Sequence, residues 1–181
     1  EVDNWIDVTY ADRDDIDTTV IKENYYDMAM ALIDEYINKN KPTEVETPVV
    51  AKVKNNVYVA GTCDNRTHDT VVDYKTTSTK PNTETIPFKY LIQALAYAYA
   101  YRQNGIDIER IRIVYTVKKT KTLPVRVFEV TKVITQDDWQ LIEDTLELIA
   151  ESVEFVQANP QYAHLIFKSM KIKGNYNGEW N

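Results

Sequence analysis

Cysteine is almost absent from this sequence of 181 residues, because Cys63 is the only one. A single thiol excludes a disulfide within the chain, a four-cysteine zinc site and a cysteine-bound iron–sulfur cluster. Glycine is scarce too, and without a glycine-rich phosphate loop ending in Lys-Ser or Lys-Thr we expect no nucleotide cofactor. No apolar run approaches the roughly 18 residues that a membrane span needs, so we expect no membrane partner. These absences favour a reducing intracellular location, the cytoplasm.

Acidic residues outnumber basic ones by 28 to 21, but the acidic excess is concentrated in residues 1–46. Basic residues dominate residues 110–132, where the single acid is Glu129. A basic stretch of this kind is one footprint of a phosphate-binding surface, and a solvated pair of strands explains it equally well. The candidate phosphate contacts in this stretch are Lys118, Lys119, Lys121 and Arg126.

Hydrophobic periodicity predicts helices over residues 21–38, 87–104 and 135–158. Alternating or β-rich runs predict strands over 45–53, 57–63, 70–76, 110–117 and 125–133, with turns at 55–56 and 64–69. Gly105 suits a helix C-terminal cap, and Thr135 suits an N-cap. This order predicts an α+β fold with a mixed sheet flanked by helices. We expect one domain over 1–181, with an arm at 1–17, a core at 21–133 and C-terminal helices in 135–181.

Two acids and a lysine lie on neighbouring predicted strands. Asp64 closes one strand and Asp73 lies inside the next, where Lys75 shares the face of Asp73 and Tyr74 points to the other face. Because burying an unpaired carboxylate is costly, two acids that converge beside a sheet predict a hard divalent cation, Mg²⁺ or Mn²⁺. Such an ion and a lysine that holds or deprotonates water suffice for phosphodiester hydrolysis. An exposed salt bridge between Asp73 and Lys75 is the alternative.

The helix predicted over 87–104 places Gln93 and Tyr97 four residues apart, so both lie on one face. A glutamine and a tyrosine there could bridge catalytic groups or a nucleic-acid backbone. The alternative is that the tyrosines of this helix pack in the core or in an interface.

Together these stretches resemble the RecB-type branch of the PD-(D/E)XK nucleases. The resemblance covers about residues 21–133 and rests on three motifs in order: Gly61 to Asp64 at a strand end, Val-Val-Asp-Tyr-Lys-Thr on a strand, and Gln-x-x-x-Tyr on a helix. It implies a core of order αβββαβ, which agrees with the pattern of helices and strands. The branch that carries an iron–sulfur cluster is excluded, because that cluster needs four cysteines.

The resemblance also implies roles for particular residues. Asp64 and Asp73 would bind the metal, and the Tyr74 carbonyl would complete its shell. Lys75 would position the attacking water, while Gln93 and Tyr97 would support the site and the DNA backbone. Members of this branch commonly place a metal-binding histidine on the first helix, which has none here. Asp27 is the candidate replacement, with Glu23 and Glu46 as further candidates, and a solvated helix face is the alternative for Asp27.

The resemblance therefore predicts a metal-dependent deoxyribonuclease. We expect a single-strand-preferring exonuclease that acts on DNA strands or duplex ends in recombination, repair or phage DNA processing. A helicase or a recombination protein is the expected partner. The alternatives are a structure- or sequence-specific endonuclease on the same core, a catalytically silent domain that binds DNA or protein, and an acidic interaction module with a chance Asp-x-Lys.

Overall fold

The computed structural model describes residues 7–9 and 17–163. Helix α1 (Thr18–Leu32) continues into a π-helical turn (Ile33–Ile37), and strands β1 (Glu44–Lys54), β2 (Val57–Thr67) and β3 (Thr70–Thr77) follow. Helix α2 (Phe88–Gln103), strands β4 (Arg110–Val117) and β5 (Arg126–Val133), helix α3 (Gln136–Ala158) and a 3₁₀ turn (Pro160–Tyr162) complete the order. This order confirms the predicted αβββαβ core and the long helix after it. Most of the arm 1–17 and the stretch after residue 163 lie outside the described residues.

The five strands form one mixed sheet in the order β1-β2-β3-β4-β5. The first three strands pair antiparallel, β3 and β4 pair parallel, and β5 returns antiparallel to β4. Parallel neighbours need a crossover connection, and α2 supplies it between β3 and β4. The prediction of an α+β fold with a mixed sheet flanked by helices is confirmed.

The sheet lies between two helical layers because β3 and β4 are apolar on both faces. Val72 and Val114 pack with Tyr36 and its neighbours from the α1 side. The opposite face, which includes Val71 and Ile113, packs against α2 and α3. The two helices contribute buried residues to this larger cluster: Ala94, Leu95, Ala98, Ile142 and Leu146. Adjacent residues of β3 therefore face different layers, and this alternation orients the site described below. None of the helices in the described ranges is long and apolar enough to cross a membrane.

Both helix caps predicted from the sequence are present. Thr135 and Asp138 form a capping box at the start of α3. Gly105 follows α2 with a φ of 78°, and its N–H donates to the Arg102 carbonyl while the Ile106 N–H reaches the Tyr101 carbonyl. This is the Schellman arrangement, in which glycine tolerates the left-handed conformation that ends the helix.

Two predicted boundaries were wrong. Strand β2 does not end at Cys63 but continues to Thr67, and the turn contains only His68 and Asp69. Arg66 and its neighbours pair with β1 on one side and β3 on the other, which keeps this polar stretch extended. Asp64 therefore lies inside a strand and not at its end. Helix α1 begins at Thr18 instead of residue 21, because the Asp17 side chain caps it.

Candidate active site

The two acids singled out by the sequence lie where β2 and β3 separate. The strands pair at three positions, and the pair nearest to the acids joins Asn65 to Val72. Asp64 and Asp73 come one residue beyond that pair. Oδ2 of Asp64 accepts a hydrogen bond from the Tyr74 backbone N–H at 2.8 Å. The Asp64 carboxylate thus takes the place of a backbone acceptor for the Tyr74 N–H. Both carboxylates lie at the gap where β2 and β3 separate.

Asp73 is a buried carboxylate in contact with one cation. Its side chain is only 1% exposed, and Nζ of Lys75 donates to its Oδ1 at 2.8 Å. The same Nζ lies 2.7 Å from Oδ2 without forming a hydrogen bond to it. Burial raises the pKa of Asp73, the hydrogen bond and charge of Lys75 oppose this rise, and the charge of Asp64 adds to it. The carboxylate of Asp73 therefore needs positive charge nearby.

Helix α2 holds Lys75 through a short chain of hydrogen bonds. Nζ of Lys75 donates to Oε1 of Gln93 at 3.3 Å, and Nε2 of Gln93 donates to the Tyr97 hydroxyl at 3.1 Å. The Tyr97 ring lies against Gly61 of β2, where an added Cβ would stand 2.8 Å from Cε1 of the ring. The structure thus brings Asp73, Lys75, Gln93 and Tyr97 together, and glycine at position 61 gives the tyrosine its place.

Tyr74 points away from this group, as strand alternation predicts. Its hydroxyl accepts a hydrogen bond from Nδ2 of Asn65, and its ring meets Tyr36 edge-on with centroids 6.1 Å apart. The N–H and C=O groups of one strand residue face the same edge of the strand. Since the N–H of Tyr74 reaches Asp64, its carbonyl also faces the gap beside β2.

The donors at this gap suit a hard divalent cation. Mg²⁺ is typically held by one or two carboxylates together with water and substrate phosphate, so two acids are enough. Oδ2 of Asp73 is buried and lies 2.7 Å from the Lys75 ammonium without an aligned hydrogen bond, so an ion bound there would share this carboxylate with Lys75. Within the described ranges, no third histidine, cysteine or acid joins Asp64 and Asp73 to form a larger metal-binding group. The residues present therefore fit a metal held by two carboxylates.

The structure does not bring Asp27 into this group. Oδ2 of Asp27 accepts from Nζ of Lys119 at 2.7 Å, and both side chains are about 40% exposed. Together with Glu23, the pair lines a separate cleft of about 320 Å³ on the α1 side. Neither acid joins Asp64 and Asp73 in a metal-binding cluster of described residues. The contacts of Asp27 thus give no support to its predicted role as a ligand.

The predicted phosphate-binding bases follow β4 and open β5, and they comprise Lys118, Lys119, Lys121 and Arg126. The three lysines are exposed and Arg126 is partly buried. The Lys118 N–H donates to the Thr77 carbonyl at 2.9 Å, so this loop begins at the end of β3 that carries Lys75. Lys119 pairs with Asp27, whereas the other three form no ion pair with any described residue.

Sequence reasoning missed a partly buried ion pair that supports β2. Arg66 is 9% exposed, and its Nη2 lies 2.6 Å from Oε1 of Glu44. The Tyr101 hydroxyl donates to the other oxygen of Glu44 at 2.9 Å, and the guanidinium stacks over the Tyr101 ring. The hydrogen bond from Arg66 holds the pKa of Glu44 below its usual value. These partners are 22 and 57 positions from Glu44, and no local pattern reveals such pairings.

Cys63 is a packed strand residue and not a nucleophile. It has no exposed surface, and its thiol donates to the Asn65 carbonyl. Burial raises the pKa of Cys63 to about 11. A thiol in this state is rarely ionised near neutral pH, which agrees with its interpretation as a small strand residue.

The element order, the mixed sheet and the Asp-x-Lys strand beside a splayed neighbour define a nuclease-type core. The sequence matches the family model of the PD-(D/E)XK nuclease superfamily over residues 5–164. The chain belongs to this superfamily, whose members hydrolyse phosphodiester bonds and generally use divalent metals such as Mg²⁺. The superfamily predicted from the sequence motifs is therefore confirmed.

A similar solved structure is the "putative exonuclease" of Eubacterium rectale, with 18% sequence identity and a TM-score of 0.54. The match covers 87% of this chain and 65% of that protein. At this identity the likeness supports the shared fold. A second solved structure, SSO0001, has 15% identity and a TM-score of 0.39, and the match covers 72% of this chain and 60% of that one. The chain thus spans less than two thirds of either protein. No curated protein matches the sequence.

Proposed function

We propose that this chain is a metal-dependent deoxyribonuclease of the RecB-type branch, and that it acts as a single-strand-preferring exonuclease. The observation that carries the proposal is the position of Lys75, which contacts buried Asp73 and Gln93 beside the gap where Asp64 lies. The name of the Eubacterium rectale protein is in line with exonuclease action. Recombination, repair or phage DNA processing, with a helicase or recombination partner, is the proposed setting.

Asp64, Asp73 and the Tyr74 carbonyl would hold Mg²⁺ or Mn²⁺ at the gap. When bound, the ion would stabilise the negative charge that develops on the phosphate and lower the pKa of water. Asp73 supplies a buried carboxylate, and the Lys75 ammonium lies within 2.8 Å of both its oxygens. Asp64 fixes β2 against β3 through the Tyr74 N–H, which keeps the two acids at one site.

Lys75 positions the attacking water and offsets negative charge. Its Nζ has three protons and lies within 3.3 Å of both Asp73 oxygens and of Oε1 of Gln93, so a bound water or phosphate oxygen would share an N–H with one of them. Gln93 orients this ammonium, because its Nε2 is fixed by the Tyr97 hydroxyl. Holding the water and the phosphate in the right geometry raises their effective concentration. This speeds the in-line attack of the water on phosphorus.

The direct test is cleavage of end-labelled single-stranded, duplex and closed-circular DNA with Mn²⁺, Mg²⁺ or EDTA. Wild type is compared with Lys75→Ala and with Lys52→Ala, which removes an exposed lysine from β1. We expect metal-dependent cleavage of linear single strands that Lys75→Ala loses and Lys52→Ala keeps. Mn²⁺ binding is measured in parallel and should survive in Lys75→Ala but not in Asp73→Ala.

Each alternative gives a different result in the same assay. Cleavage of closed circles would favour the endonuclease. DNA binding without cleavage under any metal would identify a silent binding domain, and full activity of Lys75→Ala would reject the assignment of this site.

A further inference from the structure

A row of side chains extends from Lys75 across two further strands. Lys75 of β3 lies opposite Tyr115 of β4, and Tyr115 lies opposite Phe128 of β5. Neighbouring strands are about 4.8 Å apart, so Phe128 stands roughly 10 Å from the backbone of Lys75 on the same face. Tyr90 of α2 meets Tyr115 edge-on with centroids 6.3 Å apart, and the Lys75 ammonium lies 5.0 Å from the centroid of the Tyr90 ring. Tyr90, Tyr115 and Phe128 therefore form an aromatic track that begins at the proposed catalytic lysine.

Three cations besides Lys75 rest on the rings of this track. The Lys89 ammonium lies 4.5 Å from the centroid of the Tyr90 ring, and Lys80 and Arg126 lie 5.7 and 5.6 Å from that of Phe128. None of the three forms an ion pair with an acid in the described ranges, whereas Lys119 nearby is neutralised by Asp27. Their positive charges are therefore available to a ligand. Cation–π contact with the rings holds the three side chains in position.

The track also contains buried polar groups without a partner. Tyr115 is 4% exposed, and its hydroxyl forms no hydrogen bond with any described residue. Nε of Arg126 is likewise buried and unpaired among these residues. Buried donors are nearly always satisfied in folded proteins, by protein groups, ordered water or ligand. Both groups lie at one end of β4 and β5, near Phe128, and ordered water or a ligand would satisfy them.

We propose that the aromatic track, with Lys80, Lys89 and Arg126, binds single-stranded DNA as the strand enters or leaves the gap at Lys75. Bases stack on the partly exposed ring of Phe128, and the three cations meet successive phosphates. A ligand that combines flat apolar faces with regularly spaced anions matches this alternation of rings and cations. Paired bases in a duplex are already stacked on one another, so the track favours unpaired strands. This inference rests on the proposed function for the choice of DNA and adds the path of the strand.

The test is binding of a fluorescein-labelled oligothymidine of 12 nucleotides, measured by anisotropy in EDTA so that no cleavage occurs. We expect Phe128→Leu to weaken binding about fivefold to tenfold, because stacking on one aromatic ring contributes an effect of this order. Its salt dependence should stay unchanged, since leucine removes no charge. Lys80→Gln and Arg126→Gln should each lower the slope of log affinity against log salt by about 0.7, the value for one phosphate contact on a single strand.

Two control variants match these changes away from the track. Lys52→Gln removes an exposed lysine from β1, at the opposite edge of the sheet from β5, and Phe155→Leu changes a ring on α3 that is 48% exposed. Both should bind like wild type. An oligonucleotide with 2-aminopurine at single positions adds a direct readout, because stacking on Phe128 should quench its fluorescence in wild type but not in Phe128→Leu.

The outcomes separate this inference from the proposed function. Wild-type affinity and an unchanged salt slope in all three track variants would overturn the track, even if the protein cleaves DNA. Preference for a blunt duplex over the single strand, or no DNA binding at all, would also overturn it. Loss of binding in the track variants, with no cleavage under any metal, would retain the track and reject the nuclease activity.

Discussion

The variant Lys75→Met tests how much the stability of the fold depends on the contact of Asp73 with the Lys75 ammonium. Asp73 is 1% exposed, and the Lys75 ammonium lies within 2.8 Å of both its oxygens. Methionine keeps a long apolar side chain but removes the charge. Breaking a buried ion pair from one side costs about 3 to 5 kcal/mol. Since Lys75 is 21% exposed and water can reach the gap, we expect the free energy of unfolding to fall by about 2 to 3 kcal/mol without metal.

The assay is urea denaturation in EDTA at neutral pH, followed by circular dichroism. The double variant Asp73→Asn/Lys75→Met removes the buried charge together with its partner, so most of the lost stability should return. Lys52→Met serves as the control, because this exposed lysine forms no ion pair with a described residue. Adding Mn²⁺ should stabilise Lys75→Met but not the double variant, which lacks one of the two acids.

A different result would refute the reasoning. If Lys75→Met is as stable as wild type in EDTA, Asp73 does not depend on the ammonium. If the double variant is less stable than the single one, packing and not charge explains the loss. Either outcome would remove the electrostatic basis of the proposed site.

Three further predictions concern residues around the site. Gly61→Ala should displace the Tyr97 ring, lowering the free energy of unfolding by about 1 to 3 kcal/mol and kcat about 10- to 100-fold, as measured by urea denaturation and DNA cleavage. Glu44→Gln should cost about 1 kcal/mol at pH 7 in the same denaturation assay, because Glu44 accepts from Arg66 and Tyr101. The pKa of Glu44 is lowered in the fold, so its stabilisation is present above its usual value of 4.5 and is lost as the pH falls further; the difference from wild type should therefore shrink towards pH 3. Cys63 should react with Ellman's reagent at pH 8 at least about 100-fold more slowly in the native protein than in urea. The reasons are that burial raises the pKa of Cys63 from 9.0 to about 11 and that the side chain has no exposed surface. Rapid labelling of the native protein would contradict this prediction.

The elements with strong local patterns could be predicted from the sequence. The apolar periodicity of the helices, the β-branched residues of β3 and β4, and the caps at Gly105 and Thr135 are all local features, and each corresponds to the structure. The shared face of Asp73 and Lys75 also follows from strand alternation alone. The contact of Lys75 with Gln93 then depends only on α2 crossing over β3, which the order of elements already implies.

The features that sequence reasoning missed depend on partners distant along the chain. The polar run from Asp64 to Thr67 reads as a turn, and it is extended because Asn65 and Arg66 pair with β1 on one side and with β3 on the other. The ion pair of Asp27 is likewise with a distant residue, Lys119, which is 92 positions away in the sequence. The row of Lys75, Tyr115 and Phe128 exists only through strand register, which no local pattern reports.

The short pairing of β2 with β3 divides the sheet into two parts, the hairpin of β1 and β2 and the strands β3 to β5. β3 pairs with β4 at eight positions but with β2 at only three, so within the sheet the hairpin of β1 and β2 is joined to β3 by a short seam, and its residues Val49, Ala51 and Cys63 also pack in the core with α2 and α3. Asp64 lies on one side of this seam and Asp73 on the other. An ion held by both acids would therefore act as a staple between the parts, and amide protons along the seam should exchange with solvent more slowly once Mn²⁺ is added. Binding of the metal ion by Asp64 and Asp73 would then also stiffen the sheet.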